Sequence, residues 1–322
     1  MRERVSILIP THNRSAMLGR TLASLEQITI PREDMELIVV ANACTDDTVE
    51  MVEQRAAHLG FPVTCLEEPR ANVNLARNVG VQASSGTIIA MLDDDVRVEP
   101  GWVVGLLEAY ESHPADLVAG KVDLWWDTTR KPGWFTKQLE AMLSCKDHGQ
   151  EVIELFKGSD AIGANLSWRR GLVDAIGEFI PGLDRTGNVL LGGGETEFVQ
   201  RALAKGFRMF YAPRSVVKHH VGPERVTADY LCDLQFHQAI SLAYIAPSST
   251  KWHVAGRILS GLRQCSTHLA SELWYRLRGD RGKWVYHRAR KSVGMGKVVG
   301  SFQRLIGRTA VERFEARVRP RS

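Results

Sequence analysis

Three consecutive aspartates, Asp93, Asp94 and Asp95, follow directly on the apolar run Ile88-Ile89-Ala90-Met91-Leu92. In extended backbone, residues two apart share a face, so Asp93 and Asp95 project together while Asp94 points elsewhere. Two carboxylates side by side repel unless a cation sits between them. A hard divalent ion, Mg²⁺ or Mn²⁺, takes oxygen ligands and keeps positions open for phosphate oxygens, which makes it the economical answer. The plainer alternative is a solvated acidic turn, and the apolar run that delivers the turn to the mouth of a sheet weighs against it. Familiar nucleotide motifs do not account for the aspartates. The chain has no GxGxxG fingerprint and no GxxxxGK[ST] loop, which argues against a dehydrogenase and a P-loop NTPase, and it lacks the glycine and terminal glutamate of an EF-hand after Asp93.

The elements that must position these residues are legible as alternation. "VSILIP", "ELIVV" and "TIIAML" are short β-rich runs. The first two lead into helical spacings, Met17, Leu18, Leu22 and Leu25, then Val49, Val52, Ala56 and Leu59. The pattern predicts βαβ units and a parallel sheet covered on both faces, with a ligand crevice at the carboxyl ends of the strands. Polar clusters stand at those ends: Pro10-Thr11-His12-Asn13, then Ala41 to Thr48, then the aspartates. Thr45, Asp46 and Asp47 also suit a capped helix start.

Composition sets the outer limits. The 322 residues are 44% hydrophobic and 24% charged, an ordinary globular balance. No apolar run approaches the roughly 18 to 20 residues that cross a bilayer, and "MRERVSILIPTHNR" turns polar too early for a secretory signal, so a cytoplasmic protein is expected. Five cysteines without a CxxC pair suggest neither a disulfide framework nor a zinc knuckle. The net charge of +4 is unevenly placed, with +13 from Lys251 onward and −9 before it. Such a basic, helical tail faces an anionic partner or is simply solvated; a membrane surface is favoured over nucleic acid, which is not expected.

In order along the chain, "VSILIPTHNR", "ELIVVANACTDDT", "NLARNVGVQASSGTIIAMLDDDV", "GANLSWRR" and "GGGETEFVQRALAKGF" with "APRSVVKHHV" resemble the successive landmarks of family 2 glycosyltransferases of the bacterial polysaccharide type. The resemblance implies an α/β GT-A fold, Rossmann-like, over residues 1–225, followed by a helical basic region over 226–322. It further implies a nucleoside-diphosphate-sugar donor, with a UDP-sugar first, Mn²⁺ or Mg²⁺, and inversion at the anomeric carbon. Carried over by position, Pro10, Thr11 and Asn13 frame the nucleobase and ribose, and Asn42 reads the base. Ala41 departs from the acidic residue of many relatives. Arg77 lies near the nucleotide, and Asp93 and Asp94 join the donor site. Asp95 binds the metal most directly, Asp93 holds ribose or a metal-bound water, and His219 or His220 completes the metal site.

The family's catalytic base aligns with Glu195, and Gly194 replaces the preceding acidic residue. An acceptor hydroxyl is a poor nucleophile until a carboxylate takes its proton. Glu197 suits the N-terminus of the same helix, which Gly206 ends. Trp125 and Trp126, with Trp134 and Phe135 beyond them, form a candidate platform for an acceptor sugar, and Asn165 and Glu197 are further acceptor candidates. The acceptor itself is a glycan or a lipid-linked chain, met at the cytoplasmic face of the inner membrane. A nucleotidyltransferase, which would release pyrophosphate, and a catalytically degenerate glycan-binding scaffold are the rival readings.

Overall fold

The computed structural model describes residues 3–29, 34–127, 129–181, 183, 192–246 and 250–306. Residues 307–322, which carry part of the basic tail charge, lie outside the described residues. Two compact units divide the chain, one within Met1–Arg130, Ser144–Gly187 and Gly194–Val221, the other within Lys131–Leu143, Asn188–Gly193 and Gly222–Ser322. The expected boundary at 225/226 is close to the break at Val221, but no sequence signal announces that 131–143 belongs with the second unit.

The first unit opens with β1 (Val5–Thr11), α1 (Ser15–Leu25), β2 (Met35–Asn42), α2 (Thr48–Leu59), β3 (Val63–Glu68), α3 (Val73–Ala83) and β4 (Ile88–Met91). It continues through β5 (Val96–Val98), α4 (Trp102–Ser112) and β6 (Leu117–Trp125). The second unit's short α5 (Lys137–Glu140) intervenes, and the first unit then adds β7 (Ile153–Leu155), β8 (Leu166–Arg169), α6 (Leu172–Ile176), α7 (Gly194–Ala204) and β9 (Met209–His220). The described strands form one sheet in the order β3-β2-β1-β4-β8-β6-β9-β5, with β7 also on β9.

The parallel expectation holds from β3 through β4, where the neighbours run the same way. It fails beyond, because β8 is antiparallel to both β4 and β6, and β5 is antiparallel to β9. The sheet is therefore mixed. Nor does β3 stand out in the sequence, since "VTCLEE" is a half-solvated edge strand whose polar residues mask its period.

Period-two alternation sends β1 to both faces. Val5, Ile7 and Ile9 join the core beneath α1, α2 and α4, while Leu8 packs with residues of α3, α6 and α7 on the other side. The second core is closed by rings: Phe179 stacks on Phe198 at 4.3 Å between centroids, and Trp168 leans on Phe198 at 5.2 Å. Phe198 thus anchors α7, the helix that carries Glu195.

The long β9 contains Pro213, which has no N–H to give to a ladder. Its pairing with β6 shifts between Gly120 and Lys121, from Gly120↔Ala212 to Lys121↔Val216. At this irregularity the Asn165 amide nitrogen donates to the Lys121 and Ser215 carbonyls at 3.0 and 2.8 Å, and its oxygen accepts from the Trp102 indole at 2.9 Å.

In the second unit, α8 (Ala228–Ile245), α9 (Lys251–Leu277) and α10 (Arg281–Ile306) pack through small residues. A Cβ added at Gly261 would lie 2.7 Å from the Gly294 carbonyl oxygen, so this crossing of α9 and α10 requires glycine. Gly279, with φ +70°, turns the chain between them.

If the Phe179–Phe198–Trp168 cluster fixes α7, Phe198→Ala should cost about 3–5 kcal/mol of stability and Phe198→Leu distinctly less. Urea unfolding followed by far-UV circular dichroism measures both.

Candidate functional site

The loops after β1 and β2 and the turn after β4 meet at the carboxyl ends of their strands. Asn13 and Ala43 both adopt left-handed backbone, with φ 50° and 48°. Such conformations persist in non-glycine residues where the surroundings over-determine them. The Asn13 side-chain oxygen accepts from the Thr45 N–H at 2.7 Å, His12 Nδ1 lies 2.6 Å from the Asn42 carbonyl, and Asp46 accepts from the Ser15 N–H at 3.1 Å. Asn13 therefore ties one loop to the next, and Pro10 pairs in register with Val40 inside the sheet.

The aspartates divide as alternation requires, but with a partner that the sequence reading missed. Asp94 is buried; it accepts from the Thr11 hydroxyl at 2.8 Å and from Arg14 at 2.6 Å. Arg14 also reaches Asp95 at 3.1 Å. Burial pushes the Asp94 carboxyl up to about 6, against the pull of the Arg14 cation. Thr11 and Asp94, both expected to contact donor, are bonded to each other and hold the turn. Arg14 sits in "THNR" directly after the first loop; a cation one residue before a helix, opposite an acidic turn, was the available signal.

Asp93, Asp95 and His219 converge: one ligand atom from each lies within 4.8 Å of the others. His219 Nε2 is 3.2 Å from the Asp95 carboxylate. Of the two histidines it is His219 that lies with the carboxylates: it pairs with Val96 in register, while the His220 N–H donates to the Asp95 carbonyl and its ring meets Trp125 edge-on at 5.4 Å. Two carboxylates and an imidazole form an oxygen and nitrogen set suited to Mn²⁺ or Mg²⁺, the imidazole fitting Mn²⁺ better. The donor set fits the ion.

Across the site, Glu195 stands in the first turn of α7, and its carboxylate is 3.7 Å from the Arg77 guanidinium. Arg77 is buried, donates to the Asn74 side chain at 2.7 Å and lies over the Phe179 ring. Asn74 also explains the departure at Gly194, where an added Cβ would come within 2.5 Å of the Asn74 side-chain oxygen. A cavity of about 300 Å³ is lined by Ala41, Ala43, Cys44, Thr45, Glu67, Glu68 and Pro69.

Several of the expected contact residues are engaged by the protein itself. Asn42 donates through its amide to the Glu68 and Arg70 carbonyls at 3.1 and 2.7 Å and accepts from the Asn72 N–H at 3.0 Å. Its side chain fixes the turn from β3 into α3. Asn165 is buried in the sheet irregularity. Glu197 is held bidentately by Arg201 one helical turn on, at 2.9 and 2.8 Å. Two guanidiniums, Arg20 and Arg97, cover the Trp125 ring at 4.2 and 4.9 Å, so that ring is no open platform for a sugar; Trp126 adjoins it and is half-buried. Within the second unit, Phe135 is a core residue and Trp134 lies beneath Arg281.

The Glycosyl transferase family 2 profile matches residues 6–177. The chain is 25% identical over 243 residues to a glucosyl-dolichyl phosphate glucuronosyltransferase of Haloferax volcanii, covering 74% of this chain and 76% of that one. It is 26% identical over 236 residues to the succinoglycan biosynthesis protein ExoM of Rhizobium meliloti, covering 72% of each. Among solved structures, the mannosyltransferase PcManGT from Pyrobaculum calidifontis, in complex with GDP-Man and Mn²⁺, superposes with a TM-score of 0.62 at 17% identity, covering 93% of this chain and 88% of that one. The TarS fragment of S. aureus in complex with UDP superposes at 0.51 and 15% identity, over 89% and 90%. With the profile spanning more than half of the chain and the GT-A arrangement of its sheet, this protein belongs to glycosyl transferase family 2 and is a glycosyltransferase.

Proposed function

We propose that this glycosyltransferase moves a sugar from a nucleoside-diphosphate sugar to a hydroxyl of a glycan or lipid-linked acceptor, inverting the anomeric carbon, in the synthesis of a cell-surface polysaccharide or related glycoconjugate at the cytoplasmic face of a membrane. The observation that carries the reading is the convergence of Asp93, Asp95 and His219 at the strand ends, with Glu195 presented from α7 beside Arg77. Relatives named for a dolichyl-phosphate acceptor and for succinoglycan support the acceptor class, and neighbours holding GDP-Man or UDP support the donor class.

Asp93, Asp95 and His219 would hold Mn²⁺ or Mg²⁺, which when bound neutralises the diphosphate and offsets the charge that grows on the departing nucleoside diphosphate. The chain's own residues do the rest. Arg14 and Thr11 keep the acidic turn in place, so Asp95 remains aimed at the phosphates. The cavity between the β2 end and the β3 end receives the base, and a UDP-sugar is the first donor to try. Glu195 takes the proton of the attacking acceptor hydroxyl as the new glycosidic bond forms and the bond to the β-phosphate oxygen breaks. Arg77, fixed by Asn74, orients the Glu195 carboxylate.

Incubating the purified chain with a panel of nucleoside-diphosphate sugars and Mn²⁺ should release free nucleoside diphosphate with one of them; pyrophosphate in its place would point to nucleotidyl transfer. Glu195→Gln should lower turnover by roughly 10² to 10⁴ with donor affinity nearly unchanged, whereas Glu197→Gln should cost far less. The opposite ranking would move the base by two residues. Asn42→Ala should lower stability by about 1–3 kcal/mol, because it leaves buried backbone groups without partners. It should leave the ratio of uridine to guanosine nucleotide affinity unchanged; a changed ratio at constant stability would restore Asn42 as a base reader.

A further inference from the structure

The second unit carries a surface that the transfer reaction does not use. Along α9, Trp252, Leu259, Leu262, Leu269, Leu273 and Leu277 recur at intervals of three, four or seven residues, which places them along one side of the helix. Trp252 and Leu277 are 84% and 86% exposed, and the four leucines between them are 45% to 67% exposed. The other side of α9 is already occupied: Gly261 meets Gly294, the Cys265 thiol donates to the Lys291 carbonyl, and Gln264 donates to the Arg290 carbonyl, all on α10. Isolated exposed leucines are ordinary, but an apolar stripe along a helix about 40 Å long, interrupted by Ser266, is not.

Charge identifies what covers it. Lys251, Arg263 and Arg276 flank the stripe, and Arg278 stacks over Trp274 just beyond it. Glu272 is the only acidic residue in the α9 sequence, and it is buried, bound by Lys291 at 2.6 Å and Arg276 at 3.3 Å. A second copy laid along the stripe would bring these cations against their own images with no carboxylate to meet them. No described helix is long and apolar enough to cross a membrane. Leucine and tryptophan on one side with arginine and lysine at the margins is the composition of a helix lying in the headgroup boundary of an anionic bilayer.

We infer that α9 is a membrane-surface helix that docks by its Trp252–Leu277 stripe onto bilayers containing anionic lipid. This goes beyond the proposed reaction and does not depend on its donor, metal or base; a failed transfer assay leaves it standing, and failed docking leaves the transfer reading standing.

The full chain should sediment with vesicles of phosphatidylcholine and phosphatidylglycerol, more weakly with phosphatidylcholine alone, and less at high salt. Leu262→Glu with Leu269→Glu should weaken partitioning roughly 100-fold or more, since two buried leucines are lost and negative charge is brought to an anionic surface. Phe156→Glu, at a 75% exposed phenylalanine of the first unit, should leave partitioning unchanged. Brominated lipid should quench tryptophan emission of the unmodified chain, and Trp252→Phe should reduce that quenching; this arm stands even if the double variant fails to fold. The inference is overturned if the folded double variant partitions like the parent, or if brominated lipid quenches nothing. It is also overturned if the parent ignores vesicles and sediments as a dimer that the double change dissociates, which would assign the stripe to a second copy.

Discussion

The pairing of Arg14 with Asp94 and Asp95 is the contact on which the rest of the site depends. Three adjacent carboxylates at the end of a buried strand repel one another, and little water reaches Asp94 or Asp95 to screen them. One guanidinium bridges both, and the Thr11 hydroxyl takes another oxygen of Asp94. Removing one member of so buried a pairing leaves a charge without compensation, which costs far more than a surface ion pair. The turn is thereby held with Asp93 and Asp95 toward His219. Because Arg14 caps α1 and Thr11 ends β1, the first loop and the metal turn form one structure.

The same economy runs through the scaffold. Asn42, Asn165 and Glu197 look like ligands in the sequence, yet each satisfies a group that the fold would otherwise leave stranded. Asn42 serves carbonyls and an N–H at the turn between β3 and α3, Asn165 serves carbonyls where β9 slips past β6, and Glu197 serves Arg201 on its own helix. Buried polar groups must be paired, and short polar side chains near strand ends are the nearest partners. Arg77 and Asn74 extend this to the base candidate, since Asn74 occupies the space that a side chain at position 194 would need.

Alternation and order made much of this legible. The βαβ pattern located β1, β2 and β4 and the polar clusters at their ends; spacing put Asp93 and Asp95 on one face, and the family resemblance added His219 or His220, of which the fold brings His219 to the two carboxylates. What sequence could not convey was direction. A polar residue after a strand can face the ligand or the neighbouring backbone, and the two look alike until the partner strand's register is known. The protein partners of Asn42 and Asn165 were hidden for that reason, and Arg14 was passed over because its partners lie some eighty residues away. The antiparallel half of the sheet was hidden by brevity, since β5 and β8 offer three and four residues, too few to show a period. The apolar stripe of α9 was present as letters, but only packing against α10 revealed which side was left over.

Electron paramagnetic resonance of Mn²⁺ with added nucleoside diphosphate tests the central claim most directly, because the free ion's signal falls as it binds. The account predicts that the parent chain takes up one Mn²⁺ per molecule, that Asp95→Asn and His219→Ala weaken uptake strongly, and that Asp94→Asn, which can still accept from Thr11 and Arg14 but no longer pairs a charge with Arg14, weakens it much less. Uptake unchanged in Asp95→Asn, or lost in Asp94→Asn while that variant stays folded, would contradict the assignment of the ion to Asp93, Asp95 and His219.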